Sequence, residues 1–289
     1  MPTGLAISIP IIVFIFTIGI GSELTWADFK RLFKEPKVVI IGLVGQIILL
    51  PLIGFGVAWM FRDDLVVAIG IMLLAASPGG PMSNSLVYVA RARTELSITL
   101  TAVSGVLALA TTPIIASLGI SAFAGENSDI SLPIPQTIGQ IFVLIIVPLG
   151  IGMFLRSKWT EMITNAEKRI RQGCTALMLF ALAVVIVVSW QTLVTKFADF
   201  AVAGTVFVVA LLVLSWLYGT VFGLDDASRF TVMVEISIQN IVVASLIAIT
   251  LLDKPEFALF SAVYAPPMAI IILIMLVFRL RKLSSQGPA

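Results

Sequence analysis

Apolar residues fall in nine long runs, at about 5–22, 37–60, 65–90, 95–119, 134–156, 172–194, 200–223, 228–251 and 256–279. Polar residues gather in the joints between them. A helix rises about 1.5 Å per residue and a bilayer's hydrocarbon core is about 30 Å thick, so roughly 20 apolar residues suffice to cross it. Lipid offers no partner to a backbone N–H or C=O, so each run is expected to satisfy these groups internally, as helix. The joints are short except Ser121–Pro135 and Ser157–Arg171. The latter is amphipathic and charged, and reads either as a surface helix joining two halves or as a solvated connector. The same two readings hold for Trp26, Phe29 and Phe33, which recur at helical spacing among Asp28, Lys30, Arg31 and Lys34. The chain thus divides into a first half over 1–156, a connecting segment over 157–171 and a second half over 172–289.

Composition strengthens this reading. Hydrophobic residues make up 59% of the chain and charged residues 12%, more apolar surface than a soluble core of 289 residues could hide. Cys174 is the single cysteine and histidine is absent, which excludes an internal disulfide framework, a cysteine metal cluster and a histidine proton shuttle. The apolar N-terminal run has no basic region before it; Lys30, Arg31, Lys34 and Lys37 follow it instead. It is therefore expected to be a retained span rather than a secretory signal. The basic residues divide unevenly between alternate joints: fifteen on one side and only Arg62, Lys196 and Lys254 on the other. Such a split predicts a multi-pass protein of the plasma (inner) membrane, N-terminus outside and C-terminus cytoplasmic.

Two runs are internally broken. The third contains Ser77-Pro78-Gly79-Gly80-Pro81-Met82-Ser83-Asn84 near its middle. Pro81 lacks an N–H, its ring would strike the Ser77 carbonyl, and Gly80 before it is pushed out of the helical region. Unwound backbone at that depth is tolerated where it is buried in protein or lines a cavity. The eighth run contains Glu235-Ile236-Ser237-Ile238-Gln239-Asn240, and Glu235 is the one acidic residue deep inside any run. No lysine or arginine lies at comparable depth, which leaves a bound cation or a proton as its partner. Ser97 and Thr101, four residues apart, share a face of the fourth span, and Gln46 lies inside the second. With Ser83, Asn84, Glu235 and Gln239 they make an all-oxygen set suited to a hard cation. Each broken run follows an aspartate pair, Asp63-Asp64 or Asp225-Asp226. Paired interrupted spans that cross in opposite directions point to an inverted-repeat transporter with its site at the bilayer midplane. The facing half-helix N-termini at Pro81, Met82 and Asn240 would then receive an anion.

These residues resemble the bile acid:sodium symporter family. The resemblance is carried by the Ser77–Asn84 motif, by Glu95-Leu96-Ser97-Ile98-Thr99-Leu100-Thr101, by the Glu235–Asn240 motif, and by Phe33-Lys34-Glu35-Pro36-Lys37 followed by Gln46. It implies an all-α inverted-repeat transporter of about nine spans, with a core domain of crossing broken helices beside a panel domain. It also implies two sodium sites: Ser83, Asn84, Ser97, Thr101 and Glu235 at one, and Gln46, Glu235 and Gln239 with the carbonyls of Ile236 and Ile238 at the other. The expected activity is sodium-coupled import of an organic anion, bile-acid-like or a small carboxylate such as pantoate. Alternatives are proton-coupled or uncoupled anion transport on the same fold. Partners are then a small organic anion, sodium ions and membrane lipid, with no nucleic acid and no resident cofactor. The chain departs from the family pattern in three places. Ten spans are usual, and this chain is expected to lack the first. Ser237 stands where glycine is usual. Val263-Tyr264-Ala265-Pro266-Pro267 replaces a tryptophan and asparagine pattern.

Other classes fit less well. The aspartate pairs suggest a magnesium-dependent prenyl-transfer enzyme, but neither continues as Asp-Asp-x-x-Asp. A serine protease would want a histidine, a channel a ring of pore-lining charges, and a metalloid exporter a cysteine in its broken helix. Gly219-x-x-x-Gly223 reads as packing within the bundle. From the charge split, a reporter fused after Ala289 should be cytoplasmic, and one inserted within Ser121–Pro135 external. Finding both on one side would overturn the nine-span arrangement.

Overall fold

The computed structural model describes residues 3–25, 30, 33–80, 82–124 and 134–285, and these are helical with no strand among them. Twelve helices follow in chain order. They are α1 Thr3–Gly21, α2 Pro36–Met60, α3 Leu65–Ala75, α4 Met82–Val89, α5 Thr94–Ala124, α6 Ile134–Ile141, α7 Val147–Lys158, α8 Thr160–Val188, α9 Trp190–Val221, α10 Asp226–Ser237, α11 Ile241–Leu246 and α12 Ala258–Ser285. The chain is an all-α, multi-pass membrane protein. Large apolar side chains such as Leu52, Leu118, Val187, Leu217 and Phe278 stay exposed on the outer faces, where lipid is their solvent.

Among the described residues, four helices are singly long and apolar enough to cross a bilayer: Pro36–Met60, Ile138–Lys158, Trp190–Val221 and Pro255–Ser285. The pair Thr94–Ala108 and Ala110–Ala124, bent by 65°, makes a fifth. The nine apolar runs outnumber these partly because two runs are each filled by two short helices, α3 with α4 and α10 with α11. Proline accounts for the irregularities. The α5 bend falls where the ring of Pro113 would strike the carbonyl four residues earlier, at Leu109. Pro51 and Pro148 each follow a π-helical turn, Gly45–Leu49 and Phe142–Ile146.

The segment 157–171 is not a separate element. After Trp159 its residues run without interruption into the sixth apolar run as α8, Thr160–Val188. Trp26 and Phe29, expected on an amphipathic helix, lie outside the described residues, and Phe33 is exposed. The Gly219-x-x-x-Gly223 pattern splits into two uses. A Cβ on Gly219 would come within 2.9 Å of Arg229, so that glycine makes room for a neighbouring side chain. Gly223 takes φ +68°, the left-handed turn that ends the span.

The aspartates that precede the broken spans are helix caps. Asp64 accepts from the backbone N–H groups of Val66 and Val67 at 3.0 and 3.3 Å, and Asp225 from Ala227 and Ser228 at 3.0 Å each. Each cap satisfies N–H groups that a helix start leaves without partners. Asp64 also pairs with Lys196 at 2.6 Å, and Asp226 with Arg279 at 2.7 Å. Partial burial pushes the Asp225 carboxyl up, but its hydrogen bonds with Ser228 and Ala227, and nearby Arg93, leave it below the usual carboxylate range.

Two groups of helices result. α1, α7 and α8 pack chiefly on one another, α6 packs on α5, and α2–α5 with α9–α12 form the larger body. Inside that body α3 and α10 are buried almost all round, α3 because it is apolar on every side and α10 although it carries Glu235 among its buried residues. The breaks that follow them meet. Gly79 and Gln239 form an antiparallel bridge, the Gly80 N–H donates to the Ile238 carbonyl at 2.8 Å, and the Asn240 N–H donates to the Pro78 carbonyl at 2.9 Å. A Cβ on Gly80 would lie 2.9 Å from the Gln239 carbonyl oxygen, whereas one on Gly56 would meet open space. Gly80→Ala should therefore cost about 1–3 kcal/mol through overpacking and lower the melting temperature in detergent, while Gly56→Ala should not. Equal behaviour of the two variants would place the crossing elsewhere.

Candidate functional site

The site lies where the breaks cross, around Glu235. Its side chain is fully buried on the last turn of α10. The hydroxyls of Ser83 and Ser97 donate to its Oε1. The Thr101 hydroxyl donates to Oε2 at 3.0 Å, and Gln46 Nε2 lies 3.4 Å from Oε2. Asn84 Oδ1 completes one side, 2.8 Å from Ser97 Oγ and 3.4 Å from Thr101 Oγ1. Ser97 and Thr101 reach the carboxylate together because they sit one turn apart on α5, as their spacing predicts. Ser83 and Asn84 are delivered by the start of α4, just past the first break.

Gln46 arrives by a less obvious route. It lies in the π-helical turn Gly45–Leu49, and such single turns often mark functional positions. Pro51, five residues on, forces that turn by opposing the carbonyl of Ile47. Gly45 lets α2 approach α10 closely, since a Cβ there would stand 2.5 Å from Ile236 Cδ1.

The last carbonyls of α10 are all accounted for. Val234 accepts from the Ile238 N–H at 2.9 Å. Glu235 O accepts from Gln46 and Gln239 side-chain nitrogens at 3.3 and 3.4 Å. Ile236 O accepts from Gln239 Nε2 at 2.6 Å, Ser237 O from the Tyr264 hydroxyl at 2.8 Å, and Ile238 O from Gly80 N–H at 2.8 Å. The side-chain oxygens of Gln46 and Gln239 are buried with no hydrogen-bond partner among the described residues. The structure thus brings Gln46, Ser83, Asn84, Ser97, Thr101, Glu235 and Gln239 to one place, with the carbonyls of Ile236 and Ile238 beside them.

The residues assigned to an anion lie next to this cluster. Asn240 caps α11, accepting from the Val243 N–H at 3.2 Å. Met82 is half-exposed at the start of α4, and Pro81 lies outside the described residues. Asn240 and Met82 line a cavity of about 440 Å³ between the two helix groups. One wall is Val13 and Phe16 of α1 with Leu179 and Ile186 of α8, and the facing wall includes Ala262, Ala265, Pro266 and Ala269 of α12.

Sequence reasoning missed the hydroxyls that hold the breaks from outside. Thr112 of α5 donates to the Ala76 carbonyl at 2.7 Å, and Tyr264 of α12 to the Ser237 carbonyl. Tyr218 likewise donates to the Ile41 carbonyl at 2.8 Å, beside the π turn. The signal for Tyr264 was its departure from the family pattern; a threonine in an apolar helix gave none. Ser237 itself keeps helical backbone, so a side chain in place of glycine is accommodated without a left-handed turn.

Residues 10–196 match the Sodium Bile acid symporter family. The chain is 31% identical over 162 residues to the uncharacterized sodium-dependent transporter YocS of Bacillus subtilis, covering 55% of this chain and 47% of that protein. It is 28% identical over 225 residues to the human ileal sodium/bile acid cotransporter, covering 78% of this chain and 63% of that protein. It is also 28% identical over 255 residues to the human hepatic sodium/bile acid cotransporter, covering 85% and 71%. The matched stretches thus span about half of the Bacillus protein and less than two thirds of the ileal one. The relatives' names are those of transporters, not enzymes, and of the aspartates that suggested prenyl transfer, Asp64 and Asp225 serve here as helix caps and Asp64 and Asp226 as ion-pair partners. By the match over most of its length, the chain belongs to the Sodium Bile acid symporter family.

Proposed function

We propose that the protein imports an organic anion into the cytoplasm by sodium-coupled symport across the plasma membrane, with the α1, α7 and α8 group and the larger body rocking against each other around the crossed breaks. The observation that carries this reading is the balance of oxygens and protons around Glu235. Ser83 Oγ contacts Gly80 O and Glu235, Ser97 Oγ contacts Asn84 Oδ1 and Glu235, and Thr101 Oγ1 contacts Asn84 Oδ1 and Glu235. Each hydroxyl has one proton for two oxygens. A cluster with more acceptors than protons suits a hard cation, and sodium takes oxygen ligands of this kind. One ion is assigned to Ser83, Asn84, Ser97, Thr101 and Glu235. A second is assigned to Gln46, Glu235 and Gln239 with the carbonyls of Ile236 and Ile238, where the two unpartnered amide oxygens are at hand.

The substrate is assigned to the cavity that Asn240 and Met82 line, and Pro81 is assigned to it from the sequence motif. Half-helices that start at the breaks aim partial positive charge toward an anion there. The walls are apolar, and about 440 Å³ is ample for a rigid amphipathic carboxylate. A pantoate-sized acid would fill only part of that space. The cavity therefore favours a bile-acid-like anion with a sizeable apolar body. The antiparallel meeting of the breaks, the two aspartate caps and the two outside hydroxyls support an inverted repeat with halves 1–156 and 172–289. The uneven basic joints support an external N-terminus and a cytoplasmic C-terminus.

Uptake into vesicles is the test. Wild-type uptake should fail when sodium is replaced by potassium or choline. Glu235→Gln should lose sodium-dependent uptake and sodium-induced thermal stabilisation together, because a neutral amide cannot balance the ions. Ser97→Ala and Thr101→Ala should each raise the sodium requirement more mildly. Uptake that persists without sodium, yet vanishes when the proton gradient is collapsed, would make Glu235 a proton carrier instead.

Asn240→Ala should weaken anion affinity more than sodium affinity, read from competition binding at saturating sodium. Equal losses in both, or none in either, would move the pocket elsewhere.

A further inference from the structure

Tyr264 is a fully buried tyrosine on α12 whose hydroxyl donates to the Ser237 carbonyl at 2.8 Å. Its ring is fixed on two sides, with centroids 5.6 Å from Phe207 and 6.2 Å from Phe260. Gly204 of α9 lies against the Tyr264 backbone, where a Cβ would make ordinary contact at 3.5 Å. A ring held this way has almost no freedom, so its hydroxyl marks a fixed point in space.

Ser237 lies between Ile236 and Ile238, whose carbonyls the proposed second sodium site uses. Of the five carbonyls from Val234 to Ile238, four accept from groups within the breaks themselves or from Gln46 and Gln239. The Ser237 carbonyl accepts instead from α12, a helix that supplies none of the proposed ion ligands. Just past Ser237 the backbone leaves the helical region, with Ile238 at φ −107° and ψ 100°. A carbonyl anchored toward α12 limits how the peptide planes on either side can rotate. The residues next to Tyr264 on α12, Val263 and Ala265, belong to the same stretch as the cavity wall formed by Ala262, Ala265 and Pro266. One helix thus touches the anion cavity on one face and the unwound sodium segment on another.

Resting on the sodium reading above, we propose that Tyr264 is a positioning residue for the second sodium site: it fixes the Ser237 peptide so that the Ile236 and Ile238 carbonyls are presented to the ion, and it links that segment to the cavity wall on α12. Removing the hydroxyl leaves the ring and its packing in place, but frees the segment to sample orientations that do not bind sodium. A lost hydrogen bond of this type corresponds to roughly a 3- to 10-fold change in an equilibrium constant.

The experiment compares wild type, Tyr264→Phe and Thr112→Val in the same vesicles. Thr112 donates to the Ala76 carbonyl of the other break, which is assigned to neither ion, so it controls for the loss of one buried hydrogen bond. Three quantities are read: the sodium concentration for half-maximal uptake, the anion KM at saturating sodium, and the melting temperature in potassium and in sodium. Tyr264→Phe should raise the half-maximal sodium concentration about 3- to 10-fold and shrink the sodium-induced rise in melting temperature. Its anion KM at saturating sodium should stay near wild type. Thr112→Val should lower the melting temperature in potassium without moving the sodium requirement. An unchanged sodium requirement in Tyr264→Phe, or equal shifts in the two variants, overturns the proposal and leaves Tyr264 as packing. Uptake by wild type that ignores sodium would instead remove the symport reading itself, so the two failures are distinct.

Discussion

A carboxylate buried at the centre of an apolar bundle, with no basic side chain among the described residues bonded to it, constrains everything around Glu235. Burying an unpaired carboxylate costs roughly 3 kcal/mol even by the most lenient membrane scales, and far more in others. The chain meets this cost with hydroxyls and amides drawn from three separate elements: Gln46 of α2, Ser83 of α4, and Ser97 with Thr101 of α5. Those elements must stop, bend or bulge to deliver their groups. The helix break before Met82, the π turn at Gln46 and the unwinding after Ser237 are consequences of serving one carboxylate.

Breaking two helices inside a membrane creates a second demand, because the freed backbone groups have no water to turn to. The crossing answers it reciprocally. Gly80 donates to the second break, and the first break accepts from Asn240. Neither interruption would be satisfied without the other, so a shift of one break has to be answered by the other. The two glycines leave room for different neighbours: a Cβ on Gly80 would stand 2.9 Å from the Gln239 carbonyl oxygen, and one on Gly79 would stand 2.8 Å from Gln46 Nε2 and 3.0 Å from Glu235 Oε2.

Much of this was legible in the sequence because polar oxygens are conspicuous in apolar runs. Glu235, Gln239, Ser83 and Asn84 sit beside proline and glycine that mark unwinding, and Ser97 with Thr101 keep helical spacing. The breaks could be placed from Pro81 and from the run Glu235–Asn240 alone. What was not legible depends on contacts between elements far apart in the chain. Tyr264 and Thr112 look like ordinary members of apolar helices until the carbonyls they meet are known. The π turn around Gln46 needed the clash of Pro51 to be followed one turn back. The amphipathic stretch 157–171 suggested a separate connector, yet its charges occupy the first turns of α8 and the apolar residues continue the same helix. The aspartate pairs stand out in the sequence, but the capping role of Asp64 and Asp225 appears only with the N–H groups in place.

In the proposed cycle, charge explains why sodium and anion should travel together. Ionised Glu235 and a monovalent anion bring −1 each, and two sodium ions bring +2, so the loaded site is neutral. A neutral site is the one most easily carried past a low-dielectric barrier, where an unbalanced charge interacts poorly with its surroundings. With sodium bound and the anion absent the site holds +1, and with the anion bound and sodium absent it holds −2. Either partial state exposes a net charge at mid-membrane, and hydroxyls or amides can stabilise that charge but cannot cancel it. Part of the coupling is then electrostatic. It follows from placing one acidic side chain, and no basic one, among the oxygens of two helix breaks.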